Sequence, residues 1–384
     1  MGCEENVSKR DEDNNHQQVL KVVKSYGSLI HDVLVFSDNL MARYKNILST
    51  IVPLLEYIDP DEILVMVLPG IPSSMVIAYI MRHAGLSGRI VYHVVPEWFR
   101  IMNIYFGYPV EKKALLMLEP QVNAVYANFV NLYSSELDID GDVMYMSIPN
   151  NPSGALVNFK NSSIVSVVER LEKTDGLLII DVAHLCYLCL EDEEKSKYLK
   201  DFSEFISKYT NFIVVGSLSK IISPRLRTSI VMLPRGYIHK LVNLALSTMQ
   251  LEMIGFNIII ANLIKRLFDK YSGSGILGNR IERVCKSKDE IRKLYGDRIY
   301  YSYGGSYVCM DNNVIRDIRR YDRRRVLRLI SGQAFIPDNI DSYLNIPVRG
   351  RLEKWRNTVR LSLSDERVKV WLVQASPVQK EENV

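Results

Sequence analysis

Residues 143–154 read VMYMSIPNNPSG, an apolar run over 143–148 that breaks into Pro149-Asn150-Asn151-Pro152-Ser153-Gly154. A short apolar run without polar alternation predicts a strand buried on both faces, and the Pro, Asn, Ser and Gly that follow predict a tight turn. The same construction recurs downstream, where 177–184 read LLIIDVAH and 212–220 read FIVVGSLSK. Residues 63–68 (ILVMVL), 89–95 (RIVYHVV) and 229–233 (SIVML) complete a set of buried strands. Helical periodicity at 73–84, 99–105, 162–173 and 201–209 fills several of the gaps. Buried strands alternating with helices predict an α/β fold: a mainly parallel sheet with helices on both faces.

Beyond Pro234 the pattern changes to a long helical stretch reaching about residue 271, then a Gly/Ser break at 272–278. A helix is predicted at 279–295, strands at 298–310 around Gly304-Gly305, and a basic helix at 311–329, with short strands and loops in 330–384. The expected organisation is a large domain over 45–270 and a smaller α+β domain made from both chain ends, 1–44 and 271–384. No internal repeat or low-complexity tract interrupts it.

The 384 residues, 47% hydrophobic and 24% charged with 20 Gly and 14 Pro, have ordinary globular composition. Lys and Arg number 48 against 44 Asp and Glu, a formal net charge of +4 that provides no general polyanion-binding surface, so no nucleic-acid partner is expected. The seven arginines between Arg316 and Arg328 read as the solvated face of a helix. No apolar run reaches the roughly 18 residues a membrane span needs. Residues 1–15 lack an apolar core, so neither a signal nor a transit peptide is expected. Asn6 stands where myristoylation of Gly2 wants Ser or Thr. Five cysteines without a signal peptide predict free thiols and a cytoplasmic location. Cys186 and Cys189 form a C-x-x-C within the apolar stretch 185–190, which reads as buried packing rather than a metal site.

In an open parallel sheet, ligands gather beyond the carboxyl ends of the strands. Residues directly after the apolar runs are therefore the informative ones: Asn151 in Asn-Pro-Ser-Gly, Asp181 and His184 in Asp-Val-Ala-His, and Ser217, Ser219 and Lys220 in Ser-Leu-Ser-Lys. Arg227 stands seven residues beyond Lys220, and Asn357-Thr358-Val359-Arg360-Leu361 lies near the C-terminus. Taken singly, each has a plain structural explanation: a turn, a helix cap, a solvated lysine, a surface strand. Their order and shared position at strand ends give them force.

Together these motifs resemble the fold-type I pyridoxal-phosphate enzymes, specifically the class I/II aminotransferase family, across about residues 70–364. The resemblance implies that Lys220 forms a Schiff base with pyridoxal phosphate and shuttles the Cα proton, that Asp181 pairs with the pyridinium nitrogen, and that Asn151 donates to the phenolic oxygen. It places Ser217, Ser219 and Arg227 on the phosphate and, with Gly70 and Ile71, a turn into a helix whose N–H groups bind the same group. Trp98 would stack on the ring, and Arg360 with Asn151 would clamp the substrate carboxylate. Substrates would be an amino acid and a 2-oxo acid. A homodimer is implied, with Tyr44 reaching across to the neighbouring phosphate. His16-Gln17-Gln18 and the run 33–40 resemble the opening of the histidinol-phosphate aminotransferase and threonine-phosphate decarboxylase branch.

Three departures from the family pattern stand out. His184 replaces a tyrosine and is expected to titrate near neutrality, Pro72 removes an N–H from the phosphate turn, and Arg225 adds charge where the family has glycine. An aminotransferase is the leading expectation. A decarboxylase or lyase on the same scaffold, and a non-catalytic relative, remain alternatives.

Overall fold

The protein's computed structural model describes residues 31–86, 88–98, 112–132, 142–160, 163–235, 254–314, 330–336, 346–364, 368–370 and 372. Its large sheet contains β1 (Ile63–Leu68), β2 (Val91–Val95), β3 (Lys112–Leu118), β4 (Phe129–Asn131), β5 (Val143–Ser147), β6 (Leu177–Asp181), β7 (Phe212–Ser217) and β8 (Ser229–Pro234). The strand order is β1-β8-β7-β6-β5-β2-β3-β4. Pairs β2–β3, β2–β5, β5–β6 and β6–β7 are parallel, while β8 runs antiparallel to both β1 and β7. All six strands expected from the sequence are present.

Alternation along these strands explains their unbroken hydrophobicity. Leu64, Met66, Tyr145, Ile179, Ile213 and Val231 point to one face, where they pack with Val76, Ile77, Ile80 and Met81 of helix α2 (Ser73–Leu86). Their sequence neighbours Val67, Met144, Met146, Leu178, Ile180, Val214 and Met232 point to the other face. There they meet helix α1 (residues 31–51), α3 (Ser163–Lys173) and α4 (Asp192–Ile206). Both faces are covered, so neither can carry polar alternation.

Helices α5 (Ile254–Tyr271) and α6 (Ile276–Tyr295) precede a second sheet of antiparallel strands in the order β11-β12-β10-β9. Those strands are β9 (Ile299–Tyr300), β10 (Tyr307–Asp311), β11 (Ile330–Ser331) and β12 (Thr358–Ser362), with helix α7 (Ile346–Arg356) before β12. Trp355 on α7 is fully buried, and its indole N–H donates to Leu118 O at 2.7 Å, joining this lobe to β3.

Several expectations need correction. Residues 31–44 form the first part of the continuous helix α1, and the Ser37 hydroxyl accepts from Val67 N–H of edge strand β1 at 2.9 Å. Helix α4 begins at Asp192 rather than near 201, because its first turns are charged and their exposed face hides the period. Strands β3 and β4 were not anticipated: Lys112 and Lys113 open the first, and the second is three residues long. Free thiols were expected throughout, yet Cys189 is bonded to Cys285 across 96 residues, their Cα atoms 5.1 Å apart where the segment after β6 packs on α6. Cys186 and Cys309 are free and buried. The disulfide removes part of the support for a reducing, cytoplasmic location. The predicted helix at 99–105, most of the basic helix at 311–329 and His16-Gln17-Gln18 lie outside the described residues. Among the described residues, no helix is long and apolar enough to cross a membrane.

Candidate active site

The parallel strands end along one edge of the large sheet, and their polar last residues are neighbours in register. Ser147 ends β5 opposite Asp181, which ends β6, and Ser217 ends β7. Here a cavity of about 150 Å³ is lined by Trp98, Asn151, Asp181, His184, Ser217, Ser219, Lys220, Arg227 and Arg360, together with Pro72, Ser73, Ser74, Ile77, Tyr145 and Ala183. The structure thus gathers nine residues singled out from sequence, drawn from segments as distant as 98 and 360.

Lys220 ends a single 3-10 turn, Leu218–Lys220, whose first N–H groups are partly satisfied by the Ser217 hydroxyl accepting from Ser219 N–H at 3.2 Å. The Lys220 side chain is exposed and lines both this pocket and a wider cavity of about 1120 Å³. Surrounding protein desolvates the amine and lowers its pKa; Asp181 opposes that shift, while Arg360 and Arg227 add to it. Asp181 is pushed in the unfavourable direction by burial, with Ala183 N–H donating to its Oδ1 at 2.8 Å and Lys220 stabilising the charge. The pair is a desolvated amine facing a desolvated carboxylate.

Arg360 comes from β12 of the second sheet. Its guanidinium lies over the rings of Tyr307, Trp98 and Phe335, with ring centres 5.1, 5.3 and 5.6 Å away. Nη1 donates to Asn151 Oδ1 at 2.8 Å, while buried Nε has no partner. No carboxylate pairs with Arg360 among the described residues. Buried Ser219 Oγ is likewise without a partner. Unpaired buried donors of this kind cost free energy unless something else accepts from them.

His184 departs from expectation. Burial, with Lys220, Arg360 and Lys288 nearby, pushes its pKa well below the usual imidazole value, so the ring stays neutral instead of titrating near neutrality. Its Nδ1 lies 3.4 Å from Ser306 Oγ, and the ring meets Tyr307 edge-on at 5.0 Å.

The turn before α2 reaches the cavity through its last residues. Gly70 adopts φ of 80°, as the turn after β1 requires, and Ile71 is buried in the core; neither lines the cavity. Pro72 O instead accepts from Met75 and Val76 N–H, which starts α2 at Ser73 and presents the first-turn residues Ser73 and Ser74 to the pocket. The proline therefore sits before the helix's own free N–H groups. Tyr44, expected to serve a neighbouring subunit, does not line this chain's own cavity. It is buried between α1 and α5, where its hydroxyl donates to Asp269 Oδ1 at 2.7 Å and its ring packs on Phe268. Arg225 is exposed and is not among the lining residues.

Sequence reasoning gave no role to Glu97, Ser147 or Tyr145. Glu97 is wholly buried between Pro96 and Trp98, and burial pushes its carboxyl up to about 8. Its position directly after an apolar run was the available clue, since strand ends face the crevice. Among the described residues no cluster of His, Cys, Asp and Glu could hold a metal ion.

No protein-family model matches the sequence, and no curated protein matches it. Solved structures do. MppP, soaked with the product 2-ketoarginine, superposes with a TM-score of 0.58 at 13% identity, covering 93% of each chain. The histidinol-phosphate aminotransferase from Clostridium acetobutylicum gives 0.56 at 14% identity over 94% of this chain and 95% of its own. The multiple substrate aminotransferase from Thermococcus profundus gives 0.54 at 16% identity over 89% and 78%. Full-length overlap, together with the mostly parallel sheet and its polar carboxyl edge, gives this chain the fold-type I architecture of the aminotransferases.

Proposed function

We propose that the protein is a pyridoxal-phosphate-dependent aminotransferase that moves an amino group between an amino acid and a 2-oxo acid. The observation that carries this reading is the meeting, in one cavity, of the desolvated Lys220 amine, the half-buried Asp181 carboxylate and the Arg360 guanidinium, which has no carboxylate partner among the described residues. The residues fit the cofactor: Ser219 Oγ is an orphaned buried hydroxyl, the first turn of α2 opens on the pocket, and Arg227 supplies a cation beside them.

When bound, pyridoxal phosphate supplies a ring that draws electron density from the substrate Cα. Lys220, its pKa lowered by desolvation, would hold the cofactor through its amine and, once released, move the Cα proton. Asp181 would keep a proton on the ring nitrogen, and Asn151 and neutral His184 would donate toward the phenolic oxygen. Ser217, Ser219, Arg227 and the N–H groups at Ser73 and Ser74 would bind the phosphate. Trp98 would pack against the ring. Arg360 would take the substrate carboxylate and so orient the Cα substituents toward Lys220. The product 2-ketoarginine soaked into MppP is itself a 2-oxo acid, which supports this substrate class. Exposed Ile258, Ile259 and Leu263 on α5 support a homodimer.

The test is a single-turnover screen of the cofactor-loaded protein against amino acids. Stoichiometric formation of a 2-oxo acid, with the cofactor left in its amine form and restored by a second 2-oxo acid, is the expected result. Carbon dioxide release without amino transfer would replace this reading with a decarboxylase.

A further inference from the structure

Glu97 enters none of the roles described above, yet its carboxylate is the most heavily connected acidic group at the site. It is fully buried, and no lysine or arginine pairs with it among the described residues. Three protein donors converge on it instead. Trp98 N–H reaches Oε1 at 2.9 Å, the Ser147 hydroxyl reaches Oε1 at 2.7 Å, and Ser147 N–H reaches Oε2 at 2.9 Å.

The Ser147 hydroxyl extends the connection. Asn151 N–H donates to Ser147 Oγ at 2.8 Å, so that oxygen is an acceptor there and its single proton is directed to Glu97. The side chain of Asn151 is fixed at its other end, because a guanidinium can only donate: the atom 2.8 Å from Arg360 Nη1 is the amide oxygen. This leaves Nδ2 as the donor available to the pocket. Glu97 is held by its own backbone as well, its N–H donating to Phe335 O at 3.0 Å. Phe335 in turn packs against Trp98 with ring centres 5.2 Å apart.

Burying an acidic side chain without a counter-cation is costly, and an apolar side chain would fill the space at lower cost. What the carboxyl group provides is two oxygens that take three protein donors at once. We propose that Glu97 is a positioning residue of the cofactor site, its carboxyl group anchoring the Trp98 backbone and, through the Ser147 hydroxyl, the Asn151 backbone. The stacking ring and the amide donor then share one anchor and cannot drift independently. This inference rests on the function proposed above for its meaning, but the anchor itself is a property of the chain.

The test uses the full-length protein with Glu97→Gln and Ser147→Ala. In the cofactor-free state, amide hydrogen exchange at Trp98 and Asn151 is expected to accelerate at least tenfold in Glu97→Gln, and at Asn151 in Ser147→Ala, with β6 unchanged. In the loaded state, both variants are expected to bind pyridoxal phosphate about tenfold more weakly. Both should also shift the protonation midpoint of the lysine-bound cofactor to higher pH, because a misplaced Asn151 donates less well to the ring oxygen. A merely structural glutamate would lower stability without moving that midpoint. Unchanged exchange and an unchanged midpoint in both variants would overturn the proposal. Should Glu97→Gln fail to fold, Ser147→Ala removes one hydroxyl and decides the matter alone. A wild-type protein that binds no cofactor would overturn the functional reading, and the exchange measurement would still decide the anchor.

Discussion

Residues 143–146, 177–180 and 212–215 are buried among aliphatic side chains on both faces of the large sheet, whereas the residues that end the same strands are Ser147, Asp181 and Ser217. The change from body to end takes one or two residues. In the bodies, every backbone group is paired in the ladder and every side chain packs, so free energy is gained by removing apolar surface from water. At the ends, polar side chains replace apolar ones and hydrogen-bond to the segments that follow, while Ser219 Oγ in the turn after β7 and Arg360 Nε on β12 face the same cavity with no protein partner. A strand therefore carries stability along its length and presents a polar tip, and the tips of neighbouring strands add up to a site. Such tips lower stability locally, and the apolar bodies behind them offset the loss.

This contrast can be broken most severely from the body side. Val214 in the middle of β7 is fully buried, and Val214→Asp places an unpaired charge there. A loss of more than about 4 kcal/mol is expected, read as the disappearance of a cooperative transition in chemical denaturation. Next in size is the link between the segment after β6 and α6. Cys285→Ser opens a bond spanning 96 residues and is expected to cost about 2–4 kcal/mol in urea unfolding without reductant, with no difference from wild type when reductant is present.

A smaller effect comes from the tip region and depends on pH. Burial raises the Glu97 carboxyl from its ordinary 4.5 to about 8 in the folded protein, so between those values the folded state holds a proton that the unfolded state has lost. Stability contributed by this group is complete below about 4.5 and falls as pH rises toward 8, by at most about 1.4 kcal/mol per pH unit. Glu97→Gln should flatten that slope in unfolding measured across the same window. The smallest stability effect belongs to Lys220→Ala. Removing a desolvated amine from a strand tip should change stability by less than about 1 kcal/mol, and in the stabilising direction, while abolishing cofactor attachment.

The same contrast explains what was legible in the sequence. Strand bodies buried on two faces have no polar residues to blur the pattern, so β1, β2, β5, β6, β7 and β8 were readable, though not the antiparallel sense of β8, which depends on its pairing with β7. The tips Asn151, Asp181, Ser217, Ser219 and Lys220 follow those bodies directly and were readable too. Glu97 was not, because its role lies in donors 50 residues away on β5. The Cys189–Cys285 bond, spanning 96 residues, was hidden for the same reason. The turn over residues 67–74 was readable as the entry to a helix, and of its residues Pro72, Ser73 and Ser74 line the cavity while Gly70 and Ile71 do not. The Tyr44 hydroxyl donates to Asp269, a contact across 225 residues that local sequence does not show.

The central claim is that Lys220, facing Asp181 at the carboxyl edge of the sheet, is the attachment point for pyridoxal phosphate. The most direct measurement is the visible absorbance spectrum of the purified protein after incubation with pyridoxal phosphate and dialysis, before and after borohydride, beside Lys220→Ala. The account predicts a retained band that borohydride removes, a reduced cofactor mapped to the peptide containing Lys220, and no band in the variant. A folded wild-type protein that retains no band, or a cofactor mapped to another lysine, would contradict it.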